Sequence, residues 1–180
     1  IDGGKSFTEP DFPTAQFYHV NLDNDVPYHI YGDQQDNSSI RIASKTDCYA
    51  IGKNDWEPVA GGESGYIVPD PLNSHITYGG GYDGSLTKYN DETHETFDIS
   101  PYPVAAIGSS SAQKKFRFQW TYPICFSPFN PKEIFVCSQF VHRSFDGGNS
   151  WEIISPDLSR HDSITMLPSG GPITKDNTGA

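Results

Sequence analysis

The sequence predicts an all-β fold assembled from repeated four-stranded antiparallel units, and three observations carry that expectation. Glycine (17), proline (14), tyrosine (10) and phenylalanine (11) are abundant, methionine is single, and no long Ala/Leu/Glu/Lys stretch with helical periodicity occurs. That balance favours strands and turns. The segment from Gly65 to Ser100 can be laid against Thr121 to Ser155, so that Pro71 meets Pro128, Asn73 meets Asn130, Tyr78 meets Val136, Lys88 meets Arg143, Asp91 meets Asp146, and Ile99-Ser100 meets Ile154-Ser155. Finally, Asp2-Gly3-Gly4-Lys5-Ser6-Phe7 recurs without a gap as Asp146-Gly147-Gly148-Asn149-Ser150-Trp151.

In chain order, residues 1–15 read as the closing hairpin of one unit plus a linker. Residues 16–60 read as a first full unit, the most divergent copy, with Asp23-Asn24-Asp25 in its turn and Tyr31-Gly32 opposite Tyr78-Gly79 of the next. Residues 61–115 form a second unit with a linker, and 116–156 a third. Its four strands are expected at about 122–126, 134–138, 140–144 and 150–154. A Pro- and Asn-rich turn joins the first two strands, because those residues have fixed or permissive backbone angles. The Asp-Gly-Gly turn joins the last two; glycine supplies positive φ, the aspartate accepts bonds from turn amides, and Trp151 or Phe7 plugs the hairpin. Residues 157–180 read as a loop leading towards a missing unit. Antiparallel units repeating every ~45–60 residues are blades of a β-propeller. Propellers close with about four to eight blades, so about three blades make an incomplete ring and an internal piece of a longer protein, whose edges and flanks need covering.

Charge narrows the partners. Twelve Lys plus Arg against 23 Asp plus Glu give a net charge of −11, which repels phosphate backbones and anionic membrane surfaces, so no nucleic-acid partner is expected. No apolar run approaches the roughly 20 residues that span a bilayer, and the first residues lack the regions of a signal peptide, so no membrane insertion is expected. Cys48, Cys125 and Cys137 make an odd count that cannot be a complete disulfide framework. Cys125 and Cys137 sit in neighbouring apolar segments, and small buried thiols are the plainer reading. Asn37-Ser38-Ser39 is a glycosylation sequon.

Ser144-Phe145-Asp146-Gly147-Gly148-Asn149-Ser150-Trp151 resembles the Asp-box, or bacterial neuraminidase repeat, of form Ser-x-Asp-x-Gly-x-Thr-Trp. With it, "PTAQFYHVNLDNDVPYHIYGDQQDNSS", "GGESGYIVPDP", "FQWTYPICFSPFNP", "ISPDLSRHD" and "PSGGPITKDNTGA" resemble a family of large secreted propeller proteins. These carry labels such as sortilin-like, xyloglucanase-like or glycosyl hydrolase with neuraminidase repeats. The resemblance covers nearly the whole chain. It implies the propeller fold and an extracellular, secreted or periplasmic setting, and in that family "PITKDNTGA" runs on into another blade.

In a propeller the first strand of each blade lines the channel, and the segment leading into it emerges on the same face as the loop between strands two and three. Those segments bring Gln16 to His19, Gly62 to Ser64 and Arg117 to Trp120 together with Asp33 to Asn37, Gly80 to Asp83 and Ser138 to Phe140. Tyr18, His19, Gln34, Gln35, Tyr82, Arg117, Gln119 and Trp120 are the candidate ligand-binding residues, since amides and aromatics hold sugar hydroxyls and stack on sugar rings. A glycoside hydrolase generally needs two carboxyls about 5 to 9.5 Å apart, and Asp33, Asp36, Glu63 and Asp83 are the candidates here.

Plainer readings stand beside each. Asp33 and Asp36 read as a polar turn capped by its own side chains. Glu63, at the start of an inner strand, reads as half of an ion pair with a partner such as Arg117. Asp2, Gly4, Phe7, Asp146, Gly148 and Trp151 read as hairpin-stabilising Asp-box residues on the opposite face. The six histidines never form His-x-x-x-His, Cys-x-x-Cys is absent, and Asp23-Asn24-Asp25 lacks the EF-hand pattern, so neither metal nor cofactor is expected. Three functions remain. The preferred one is a non-catalytic binding or scaffold module for a glycan or protein ligand. The alternatives are part of a glycoside hydrolase whose acid and base lie on the channel face, and a structural component of an extracellular assembly, with neighbouring chains along its edges.

Overall fold

Alternating side chains and the turns between them build three separate sheets. The computed structural model describes residues 2–6, 8, 14–63, 65–103 and 109–167. Sheet 1 contains β1 (Phe17–Leu22), β2 (His29–Gln34), β3 (Ser39–Ala43) and β4 (Trp56–Pro58). Sheet 2 contains β5 (Ile67–Asp70), β6 (Asn73–Gly80), β7 (Leu86–Asn90) and β8 (Glu95–Asp98). Sheet 3 contains β9 (Ile124–Phe126), β10 (Ile134–Cys137), β11 (Val141–Ser144) and β12 (Glu152–Ile153). Each is an antiparallel meander in chain order, and helix among the described residues is limited to 3-10 turns at Tyr82–Gly84 and Ser111–Gln113.

The strands of sheet 3 lie where the repeat places them but are shorter, for reasons visible in their ends. Pro123 has no N–H to give a ladder, and β9 starts after it. Ser138 turns the chain locally: its amide reaches Phe140 O at 2.9 Å and its hydroxyl accepts the Phe140 amide at 3.1 Å. The Ser150 amide is taken by the Asp146 carboxylate at 2.9 Å, so β12 begins beyond it.

Side chains on one face of each sheet pack against the next sheet. Tyr78, Leu86 and Ile99 meet Phe118, Tyr122, Ile124, Ile134 and Val136 between sheets 2 and 3. Leu86, Ile134 and Val136 are fully enclosed, and each such side chain contributes about 1.5–3 kcal/mol. The junction of sheets 1 and 2 is more polar. Arg41 there joins Glu57 at 2.8 Å to Asp91 at 2.5 Å, and Asn21 Nδ2 donates to Ile67 O at 2.6 Å. The first strands adjoin in succession, β1 with β5 and β5 with β9. In each meander the β2–β3-type turn therefore emerges at one end and the β1–β2-type and β3–β4-type turns at the other.

Two turns share positive φ at both glycines and a bond from the serine hydroxyl four residues on to the aspartate, but differ in the amide that the aspartate accepts. Asp146 accepts from Ser150 N (2.9 Å), Ser150 Oγ (2.6 Å) and Ser144 Oγ (2.8 Å). Asp2 accepts from Lys5 N (3.1 Å) and Ser6 Oγ (2.5 Å). Phe7, the expected plug of that first turn, lies outside the described residues. Gly148 sits at φ 90°, and a Cβ there would lie 2.5 Å from Ile99 Cδ1, so only glycine fits. Trp151 does more than fill its own hairpin, because its indole N–H donates to Ile99 O at 2.8 Å and ties the turn to sheet 2.

The outward face of sheet 1 carries the exposed apolar side chains Val20, Leu22 and Trp56. The expectation of small buried thiols fails. Cys48, in the loop between β3 and β4, and Cys125 are exposed and Cys137 is half-buried, all three as free thiols; the β9–β10 register turns Cys125 and Phe135 to the outer face of sheet 3. Among the described residues no helix is long and apolar enough to cross a membrane.

Candidate functional site

At the β2–β3 end, four of the residues named from sequence form one hydrogen-bonded group. Gln35 lies just past β2, where its amide bonds Gln16 O at 2.9 Å. Its side chain accepts from Tyr18 Oη at 2.5 Å and donates to Asp36 Oδ1 at 2.9 Å and Glu63 Oε2 at 3.1 Å. The Asp36 amide also donates to Glu63 Oε2, with Asp36 at φ 57°. The Glu63–Arg117 pairing expected from sequence is therefore not formed. Glu63 holds the turn of sheet 1 to the lead-in of sheet 2. Arg117 instead donates to Asp157 Oδ2 at 3.1 Å and Ser159 Oγ at 2.7 Å. Bonds from Ser159, then from His161 and Arg117, hold the Asp157 carboxyl far below the usual range.

Asp33 is the second correction. It is not part of a self-capped turn: it lies within β2, paired with Ser39, and its side chain points towards sheet 2. It is 0% exposed, and neither carboxyl oxygen has a hydrogen-bond partner. Burial pushes its pKa up to about 8, and the nearby Gly65 amide, outside bonding geometry, draws it back only in part. Beside it Tyr122 is fully enclosed and donates to Ser85 O at 2.6 Å; burial, then the Asp33 charge, raises its phenol. Asp36 does sit in the turn, but its own amide is held by Glu63 rather than by its own carboxylate.

The remaining residues fall into separate groups. Asp83, at φ 54° in its 3-10 turn, pairs with Lys114 Nζ at 2.5 Å, and both side chains are largely enclosed. Tyr82 and Trp120 lie with ring centroids 4.5 Å apart at 39°, and Trp120 is 39% exposed. His19 stacks on Tyr66 at 3.9 Å across the junction of sheets 1 and 2. Gln34 Nε2 donates to Ser38 O at 3.1 Å. Arg117 and Gln119 line a cleft of about 290 Å³ together with Ser159 and His161. Asn37 is exposed in the turn, and the sequon hydroxyl, Ser39 Oγ, donates to Val59 O at 2.9 Å.

Lys114, Gly65, Tyr122 and Asp157 were not singled out from sequence. Only Asp157 had a local signal, the Ser-Pro-Asp-Leu-Ser string in which Asp157 Oδ1 accepts the Ser159 amide at 2.8 Å. Chemically, this end carries both an aromatic ledge and a group of amides and carboxylates. Glu63, Asp36 and Asp83 are each engaged by an internal donor, and Asp33 is sealed from solvent.

Compared with known protein families and with curated proteins, the chain matches no family model and no curated sequence.

Proposed function

We propose that this chain is a segment of an extracellular β-propeller that binds a neutral glycan on the β2–β3 end of its sheets, without catalysing a reaction. The observation that carries the reading is the Tyr82–Trp120 ledge, half-open to solvent, at the same end of the sheets as the Tyr18–Gln35–Glu63 network, whose lead-in bonds the strand before Tyr82 through Gly62 N and Gly80 O at 3.0 Å. An aromatic face covers the apolar side of a sugar ring while neighbouring amides and carboxylates meet its hydroxyls. A neutral ligand is favoured because a net charge of −11 repels anionic sugars. Three like meanders whose first strands adjoin, with an apolar outer face on sheet 1, support a ring continued by further blades. The Asp-box form of the Asp146 turn and the exposed Asn37 support a secreted setting.

A value of about 8 would suit Asp33 as a general acid. Its enclosure stands against that role, since a general acid must come within hydrogen-bond reach of the substrate atom it protonates. Titration with neutral oligosaccharides such as cellohexaose tests the reading: binding that is lost in Trp120→Ala supports it, and binding indifferent to Trp120 removes its basis.

A further inference from the structure

At the opposite end of the sheets, the β1–β2 turn gathers a different chemistry. Asp23 directly follows β1, Asp25 lies in the turn and His29 opens β2. His29 Nδ1 lies 2.7 Å from Asp23 Oδ2 and 4.0 Å from Asp25 Oδ2, and the three donor atoms all lie within 4.8 Å of one another. Donors around one zinc ion, each about 2.0–2.2 Å from it, stand about 3–3.5 Å apart in a tetrahedral arrangement. The observed spacings bracket that range, so small side-chain rotations suffice.

Three features set this group apart from the other acidic clusters of the surface. The Asp23 side chain is 3% exposed and held in place by the His29 amide (2.8 Å), Tyr31 Oη (2.8 Å) and the His29 ring (2.7 Å). The Tyr31 phenol is held by Asp23 as an outer partner holds a metal-ligating carboxylate. Asp23 and Asp25 also line a cavity of about 490 Å³, shared with Asp70, Asn73 and β9, which leaves room for water or a ligand group at further coordination positions.

We propose that Asp23, Asp25 and His29 form a binding site for a divalent transition-metal ion, Zn2+ by its chemistry. An imidazole nitrogen with two carboxylates suits zinc, whereas calcium and magnesium prefer all-oxygen shells. On binding, His29 takes the tautomer protonated at Nε2, its Nδ1 proton being relocated there through solvent, and gives the Nδ1 lone pair to the ion. Asp23 Oδ2 exchanges that proton contact for the metal and keeps its bond from Tyr31. Asp25, drawn in from solvent, completes the protein ligands. The ion would pin the turn that starts sheet 1. The site is independent of the glycan reading, which concerns the other end of the sheets.

The experiment is a calorimetric titration of chelator-treated protein with Zn2+, repeated with Ca2+, alongside the visible absorption of Co2+ as a coordination probe. One Zn2+ per chain is expected, with a rise in Tm, reversal by chelator and no comparable response to Ca2+. Asp25→Ala, at an exposed side chain, is expected to keep the metal-free Tm and circular dichroism while weakening Zn2+ binding at least ~10-fold. His29→Gln is expected to abolish the Co2+ band. His75→Ala removes a histidine that lies with Asp91 and Glu92 elsewhere and is expected to change nothing. The proposal is overturned if wild type takes up no Zn2+, if Asp25→Ala binds it as wild type does, if His75→Ala loses it, or if Ca2+ binds equally well.

Discussion

Asp33 and Gly65 meet where there is no room for another atom: a Cβ on Gly65 would lie 2.5 Å from Asp33 Oδ2 and 2.3 Å from Gly80 O. The absent side chain lets strand β2 of one sheet press its carboxyl against the backbone of the next. Gly65→Ala is therefore expected to force sheets 1 and 2 apart, at a cost of about 1–3 kcal/mol. A lowered urea midpoint measures it, and an unchanged midpoint would mean that the junction is looser than described.

The same contact gives a pH dependence. The ordinary aspartate value is 3.8, and Asp33 stands at about 8 in the folded protein. Between those values the unfolded chain has released its proton and the folded one retains it. Stability contributed by the neutral acid is thus fully present below about pH 4 and falls by about 1.4 kcal/mol per unit as pH rises, levelling off above the folded value. Asp33→Asn removes the ionisation while keeping the shape. Urea unfolding at pH 5 and pH 8 is expected to show the wild type losing stability and the variant losing much less, with the variant the more stable at pH 8. Equal slopes would place the proton elsewhere.

At acid pH the sign reverses. Bonds from the Ser150 side chain and amide, then from Ser144, hold Asp146 at about 2, so its contribution is present above the ordinary carboxylate value and is lost as pH falls through the folded one. Asp146→Asn is expected to lower stability at pH 5 and to flatten the loss between pH 4 and pH 2, read by the thermal midpoint.

Trp151→Phe keeps an aromatic plug but deletes the indole bond to Ile99 O. The loss is expected to be about 1 kcal/mol. Amide hydrogen exchange at the end of β8 should quicken with it; protection that stays unchanged there would reduce Trp151 to a filler of its own hairpin.

Much of the fold was legible because repeated units repeat their local signals. Pro128 and Asn130 mark one turn of sheet 3, Asp146 to Gly148 mark another, and the apolar runs at Ile124, Ile134 and Val141 lie on its strands. What escaped depends on contacts between sheets. Asp33 reads as a turn residue in "GDQQDNSS", and its enclosure follows only from the missing side chain of Gly65 beyond the intervening β3 and β4. Lys114 finds Asp83 from a linker whose sequence has no periodic pattern. The Glu63–Arg117 expectation matched charges without knowing that Gln35 and the Asp36 amide stand nearer.

Calorimetric titration of cellohexaose into wild type and Trp120→Ala, with reducing-sugar release followed in the same samples, tests the glycan-binding account most directly. The account expects wild-type binding, a loss of about tenfold on removing the stacking face, equivalent to roughly 1.4 kcal/mol, and no cleavage in either sample. Undiminished affinity in Trp120→Ala, or sugar release that disappears in Asp33→Asn, would contradict it.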